Sequence, residues 1–337
     1  EKPKEFPLSV TRHIEAVGGE STSERVLVRE TLDLKAEGLF TDTQVSQYVM
    51  DRRKMVNVSD PRAYSYDPAN VLDRSGAYRL QFPFDTKSVD HAVFKNEIAA
   101  SYTAKPVTAS DEEVAGMRVL DFTASSDAKP VSPAYLKEIN AAVPLPSELT
   151  LDQLKPILSS YGLDIDSLLP ALLPHLSADD AATLLELSKK PVKLGYLYSF
   201  SGADSVEPST GSIAEVRDVL ETMWASPDPA ALPPLKATLE RYPDVPEAVT
   251  AVAALDKIAA QPIKVFENKF SQTADSVEEV AMDIKDQRDK KRLAEETVPT
   301  GLLAGGLVLA IVGMVVVALP RRSKGASGDS GEPAAAG

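Results

Sequence analysis

Few residues in this chain have the types and spacing that chemistry needs. Ser126 and Lys129 stand in the pattern S-x-x-K. A serine activated by a lysine needs the pair one helical turn apart at a helix start. Here the pair precedes Pro130 in a polar stretch with no partner motifs, and it reads as a solvated loop. The three histidines, His13, His91 and His175, are far apart and have no metal-ligand spacing. His91 beside Asp90 reads as a surface or packing histidine, since no matched nucleophile accompanies it. Asp164, Asp166, Asp179 and Asp180 could offer oxygens to a cation, but calcium takes six or more and usually a glycine-bearing loop. Helix caps explain these four aspartates better. Residues 111–113, Asp-Glu-Glu, read as a solvated turn. The chain has no cysteine, which excludes disulfides, thiolate catalysis and cysteine metal sites. The expectation is a protein that is not an enzyme, with no catalytic, metal or cofactor residues.

The strongest single feature is physical rather than chemical. Residues 298–320 read VPTGLLAGGLVLAIVGMVVVALP, without a charged side chain. From Gly301 to Leu319 a helix would be about 28 Å long, close to the hydrocarbon thickness of a bilayer. A backbone in lipid must satisfy itself, so this run is expected to be a single transmembrane helix. Gly306, Ala310 and Gly313 form a stripe of small residues on it, suited to close approach of a second helix. That partner would be an N-terminal segment preceding Glu1, or another copy in an oligomer. Residues 321–337 are rich in Gly, Ser, Ala and charge and are expected to be a disordered cytoplasmic tail.

Arg321, Arg322 and Lys324 follow the span, while Lys285, Arg288, Lys290, Lys291 and Arg292 precede it. The local count is nearly balanced. The cations closest to the apolar run are Arg321 and Arg322, whereas Glu295 and Glu296 stand on the other side, so the body is expected outside the cell membrane. Lys285–Arg292 offers either a site for anionic headgroups or a helix with i,i+4 pairs such as Asp286–Lys290.

The remaining residues, 1–297, form an extracytoplasmic body long enough for one large or two ordinary domains. A net charge of −14 and a pI of about 4.8 argue against nucleic acid as a partner. Residues 25–35 alternate Val26, Val28, Leu32 and Leu34 against Leu27, Arg29, Thr31 and Asp33, with Glu30 as the exception. Residues 77–84 set Tyr78, Leu80, Phe82 and Phe84 on one side of a predicted strand, with Pro83 marking an edge. Weaker strands are predicted at 45–51, 89–105 and 116–124. Residues 144–191 read as an insertion of short amphipathic helices over 149–158, 165–173 and 178–187, the last capped by Ser177. Strand texture returns at 192–200, where Val192, Leu194, Tyr196, Tyr198 and Phe200 share a face. Helices are predicted over 213–224 and 246–260, a short strand over 263–270, and a final helix opened by a Ser276–Glu279 capping box. Val277, Val280, Ala281 and Ile284 line one face of it. The turn Glu207-Pro208-Ser209-Thr210-Gly211 fits proline to preset φ and glycine to supply a positive φ. The fold class expected is α+β: a mostly antiparallel β body, inserted helices and one C-terminal span.

Several motifs occur in order: GAYRLQFPFDT at 76–86, VFKNE at 93–97, VEPSTG at 206–211, a TADSVEEVAMDIKDQ-type helix, then a proline and a glycine-rich span ending in RR. This order resembles the porin PorA family of actinobacterial envelope proteins, over roughly residues 25–322, with 144–191 as an elaboration of this chain. The resemblance implies an N-terminal membrane helix before Glu1, a large extracytoplasmic domain and a C-terminal helix. A VEPSTG-like turn about ninety residues before a terminal anchor also resembles the class B scavenger receptors, whose ectodomain carries a lipid tunnel; this chain departs from them in lacking cysteine.

The function expected is a non-enzymatic binding or structural role in a membrane-anchored envelope protein. The alternatives are a lipid-binding or lipid-transfer ectodomain and a porin subunit. A single span makes no pore alone, and the body lacks the even strand pattern of a membrane barrel. The bilayer is the expected partner. A lipid ligand would join it if the rows of Tyr78, Leu80, Phe82 and Phe84 and of Tyr196 and Tyr198 line a cavity instead of a core.

Overall fold

The computed structural model describes residues 5–108, 112–228, 230–293 and 295. The predicted span 298–320, with Gly306, Ala310 and Gly313, and the tail 321–337 lie outside the described residues. No helix among the described residues is long and apolar enough to cross a membrane. The chain divides into a compact unit ending at Ile284 and a second one beginning at Lys285.

The strands are β1 (Leu8–Ala16), β2 (Arg25–Ala36), β3 (Phe40–Asp51), β4 (Tyr64–Ser65), β5 (His91–Lys95), β6 (Ala100–Pro106), β7 (Glu113–Val114), β8 (Met117–Arg118), β9 (Leu120–Pro130), β10 (Glu148–Leu149), β11 (Val192–Val206), β12 (Ile213–Pro227) and β13 (Ile263–Phe270). The helices are α1 (Pro133–Ala142), α2 (Leu151–Ser160), α3 (Ile165–Leu172), α4 (Ala178–Lys189), α5 (Leu232–Leu239), α6 (Pro246–Ala260) and α7 (Ala274–Arg292). The α+β class with mostly antiparallel sheets is therefore observed.

Besides the small β7-β8 pair, two large sheets lie in the first unit. One has the order β1-β2-β3-β4, and the other runs β13-β12-β11-β9-β6-β5, with β10 paired to β11. All ladders are antiparallel. The face predicted on β11 is correct: Tyr196, Tyr198 and Phe200 are buried, with Ile98, Val131, Tyr135 and Met223 against them.

The helices between β10 and β11 do not cover that face. They pack with α5 and α6, where Leu163, Leu168, Leu172, Leu239, Ala251 and Leu255 form one apolar cluster. The segment between β12 and β13 thus completes the helical cluster that 144–191 begins. Ser177 caps α4 as predicted, accepting from the Asp180 N–H. Asp164 caps α3 in the same way.

Several predicted elements differ. Residues 213–224 were expected as a helix and form β12, paired with β11 from Ile213 to Pro227. A bulge opposite Gly202 places Asp218 at φ 52°, and Thr222 and Met223 are both buried next to each other. The bulge breaks the alternation by which a strand is recognised, leaving a spacing that imitates a helix. Residues 77–84 are not a strand. Tyr78 bridges to Val93, and then the chain leaves that ladder. Phe84, expected on the buried side, is 39% exposed. The cap of α7 is Thr273, not Ser276, because the Thr273 hydroxyl accepts from the Ser276 N–H at 3.3 Å. The apolar face of α7 does form: Val277, Val280, Ala281 and Ile284 pack on Val114, Met117, Val119 and Ala214.

Candidate functional site

Glu30, the exception in the alternation of β2, lies on the same side as Val28 and is 1% exposed. A buried carboxylate must find partners. Arg12 on β1 donates to it at 2.7 Å, and the Tyr48 hydroxyl on β3 at 2.6 Å. Burial works against the charge, but Arg12 and Arg79 nearby and the hydrogen bonds from Tyr48 and Arg12 hold the Glu30 carboxyl at about 2. The same carboxylate helps push the Tyr48 phenol up, in addition to burial.

From Tyr48 the network crosses to the second sheet. The Asn96 side chain donates to the Tyr48 oxygen at 2.8 Å, and Arg74 Nε donates to Asn96 Oδ1 at 3.0 Å. Arg74 is 2% exposed. Its guanidinium also donates to the carbonyls of Gln47 and Tyr64 and to the Ser65 hydroxyl, and lies 4.4 Å from the centre of the Tyr48 ring. Burial pulls the Arg74 pKa down. Five donors in a planar fork suit this role, since one side chain ties β3, β4 and the turn after β5 together.

Lys95, at the end of β5, continues the layer. Its ammonium lies 2.6 Å from Glu221 on β12 and 3.6 Å from Glu97, and it faces the rings of Phe200 and Tyr198 at 5.0 and 5.5 Å. Burial opposes the Lys95 charge, yet Glu221 and Glu97 raise its pKa above the usual lysine range. Arg79 lies among these groups; burial opposes its charge, while Glu30, Tyr48 and Glu97 hold it firmly protonated. Arg79 Nε and Glu97 Oε2 are buried without a hydrogen-bond partner in the protein. Lys95, Asn96 and Glu97 belong to the VFKNE run, and the last two occupy a single 3₁₀ turn closed by Ala99 at φ 48°.

A second polar cluster forms around Glu207, 5% exposed, in the turn between β11 and β12. Its carboxylate accepts from the hydroxyls of Ser209 and Thr210 at 2.9 and 2.7 Å and from both of their N–H groups. Burial opposes the charge here too, but the hydrogen bonds from Thr210 and Ser209 lower the pKa. The turn receives the irregular segment 81–86. Phe82 N donates to Gly211 O and Thr86 N to Pro208 O, both at 2.8 Å. Gly211 has φ +72°, as the turn chemistry predicts. Two motifs far apart in sequence are thus one structural unit.

The family model described as Porin PorA matches residues 1–315. The chain belongs to the Porin PorA family. No curated protein matches the sequence. In this PorA-family chain the match begins ahead of the motifs at 76–86, 93–97 and 206–211. The first and third of those motifs dock on each other, and the second supplies the charged layer.

The predicted site residues fall into several clusters. Phe82 stacks on Phe122 with ring centres 4.9 Å apart, and Tyr78 and Phe82 flank the His91 ring. His91 is a packing histidine whose Nε2 is 3.1 Å from the Lys87 carbonyl. Leu80 packs with Val28, Tyr48 and Met50. The Tyr196 hydroxyl donates to the Pro146 carbonyl at 2.6 Å. Ser126 and Lys129 are in β9, a strand where a loop was expected; Ser126 lies opposite Phe200 and Lys129 opposite Tyr198, with a break in register between them, so they are not one helical turn apart at a helix start. Asp166 pairs with Lys155 at 2.8 Å, Asp180 with Arg241 and Tyr242, and Asp286 with Lys290 at 2.5 Å. Among the described residues no three His, Asp or Glu side chains are placed to hold a metal ion. A cleft of about 590 Å³ lies on the helical cluster beside Pro156, Tyr161, Lys257, Gln261 and Ile263.

Sequence reasoning missed Tyr48, Arg74, Arg79, Lys95 and Glu221 as a group. The available signal was Glu30, a carboxylate on an otherwise apolar face.

Proposed function

We propose that this PorA-family protein is a non-enzymatic protein of the cell envelope, with its body outside the membrane and its C-terminal run as the anchor. Family membership supports the envelope setting, and the apolar sequence 301–319 supports the anchor. The non-enzymatic reading rests above all on the use made of the charges. Glu30 is engaged by Arg12 and Tyr48, Arg74 by Asn96 and the carbonyls of Gln47 and Tyr64, and Lys95 by Glu221. Such groups join elements instead of presenting an acid, a base or a nucleophile to a substrate. The body then serves as a rigid binding or structural module, with the bilayer and a second membrane helix against Gly306, Ala310 and Gly313 as its partners.

Topology provides the test. Protease added to intact cells stripped of outer barriers should digest the body and spare residues 321–337. A protected body with a digested tail would reverse the orientation. The family description also favours a channel-subunit reading. Purified full-length protein in planar bilayers distinguishes it, because stepwise conductance that disappears with Gly306→Leu would support a helix-lined pore over a scaffold.

A further inference from the structure

We propose that β1 is a docking edge for a second copy of this chain, through antiparallel pairing of two β1 strands about a two-fold axis at Arg12. β1 ends the four-stranded sheet, and it pairs with β2 along Leu8–Ala16 with no break in register. Among the described residues no strand pairs with its other edge. A free row of N–H and C=O groups is a template for another strand, and proteins blunt such edges with lysine, other unpaired or inward-pointing charges, proline, a bulge or a cover.

The other sheet ends are treated in that way. β13 carries Lys264 and Lys269, both tied to Glu267. β5 is bridged by Tyr78 and β4 by Val71. β1 has no lysine, no proline and no bulge, and its charges are taken up within the sheet, Arg12 by Glu30 and Glu15 by Arg29. It also presents Val10 at 40% and Ile14 at 44% exposure, on the face shared with Leu32 and Leu34 of β2.

The sequence of β1 selects the occupant. An antiparallel copy centred on Arg12 pairs the whole strand. Leu8 meets Ala16 and Val10 meets Ile14 on one face, while Ser9 meets Glu15 and Thr11 meets His13 on the other. Centring on Thr11 or His13 sets Arg12 against Val10 or Ile14, and a shift by one residue opposes the apolar face to the polar one. The one like-charge contact is Arg12 with the Arg12 of the second copy, and each is held by its own Glu30 at 2.7 Å. Because the contact is isologous and uses the open edge of each copy, it closes as a dimer.

The absence of cysteine makes the register directly measurable. Directly opposed residues in an antiparallel pair have Cα atoms about 4.5–5.5 Å apart, within disulfide reach. Full-length Arg12→Cys in detergent should form a disulfide-linked dimer under mild oxidation. Thr11→Cys mixed with His13→Cys should crosslink about tenfold more than either variant alone, since these positions oppose each other and not themselves. Both residues are exposed and away from Glu30, so this pair decides the matter even if Arg12→Cys folds poorly. Val10→Lys should weaken dimerisation about tenfold in sedimentation, with an unchanged thermal midpoint at dilutions where both proteins are monomeric. A wild-type chain that stays monomeric at micromolar concentration overturns the proposal. So does a dimer that is indifferent to Val10→Lys and shows no preference in the mixed cysteine pair, because that dimer uses another surface.

Discussion

The amide of Phe82 donates to the carbonyl oxygen of Gly211 at 2.8 Å, and a Cβ on residue 211 would lie 2.2 Å from the Phe82 carbonyl oxygen. The turn that carries Glu207 and the segment that carries Phe82 therefore approach backbone to backbone. Gly211 is needed twice over: for φ +72° and for the missing side chain. Gly211→Ala should cost more than about 1–3 kcal/mol, the usual range for backbone strain alone. Urea unfolding of the variant measures this, and an unchanged midpoint would mean that the two segments do not dock.

Phe82 and Phe84 are two residues apart and differ in environment. Phe82 is 2% exposed against Phe122 and Val93, whereas Phe84 is 39% exposed. Phe82→Ala should cost about 3–5 kcal/mol. Phe84→Ala should remain within about 1 kcal/mol. Equal losses in thermal unfolding would restore the strand with a single buried face that the alternation suggests.

What the sequence discloses depends on whether the deciding contacts are local. The face of β11 is legible because alternation is a property of the strand itself. Ser177 is legible as a cap because its partner is three residues on. β12 is not, because the bulge at Asp218 exists only against β11. Residues 77–84 mislead because their backbone is satisfied by Ala92 and Phe94 and then by the turn at 207–211, over a hundred residues away. The charged layer is partly legible. Glu30 is anomalous on its own strand, but Arg12, Tyr48 and Asn96 reach it or each other from three other parts of the chain.

Lys95 and Glu221 form the clearest pair for a coupling experiment, with N–O separation 2.6 Å and side chains 10% and 14% exposed. Lys95→Met leaves Glu221 and Glu97 buried without their cation and should cost about 3–5 kcal/mol. The double variant Lys95→Met, Glu221→Leu should lose much less than the sum of the two single losses, because the uncompensated charge is gone. Denaturant midpoints of the four proteins give the coupling. Additive losses would show that these two charges do not stabilise one another.

Glu30 sets a pH dependence whose sign follows from its surroundings. Burial favours the neutral acid, yet Arg12, Arg79 and the hydrogen bonds from Tyr48 and Arg12 outweigh it and bring the carboxyl from the usual 4.5 to about 2. The folded form therefore binds this proton less readily than the unfolded chain. The stabilisation is full above pH 4.5 and is lost as the pH falls towards 2. A shift of that size corresponds to about 3 kcal/mol. Asp60, held at about 2 by Arg62, loses stabilisation over the same window, so the absolute curve does not isolate Glu30. The difference between wild type and Glu30→Gln does. That difference should be about 3 kcal/mol at pH 7 and should shrink steadily between pH 4.5 and 2. Urea titrations at stepped pH measure it. A difference that stays constant over this window would show that Glu30 is not held ionised by Arg12 and Tyr48.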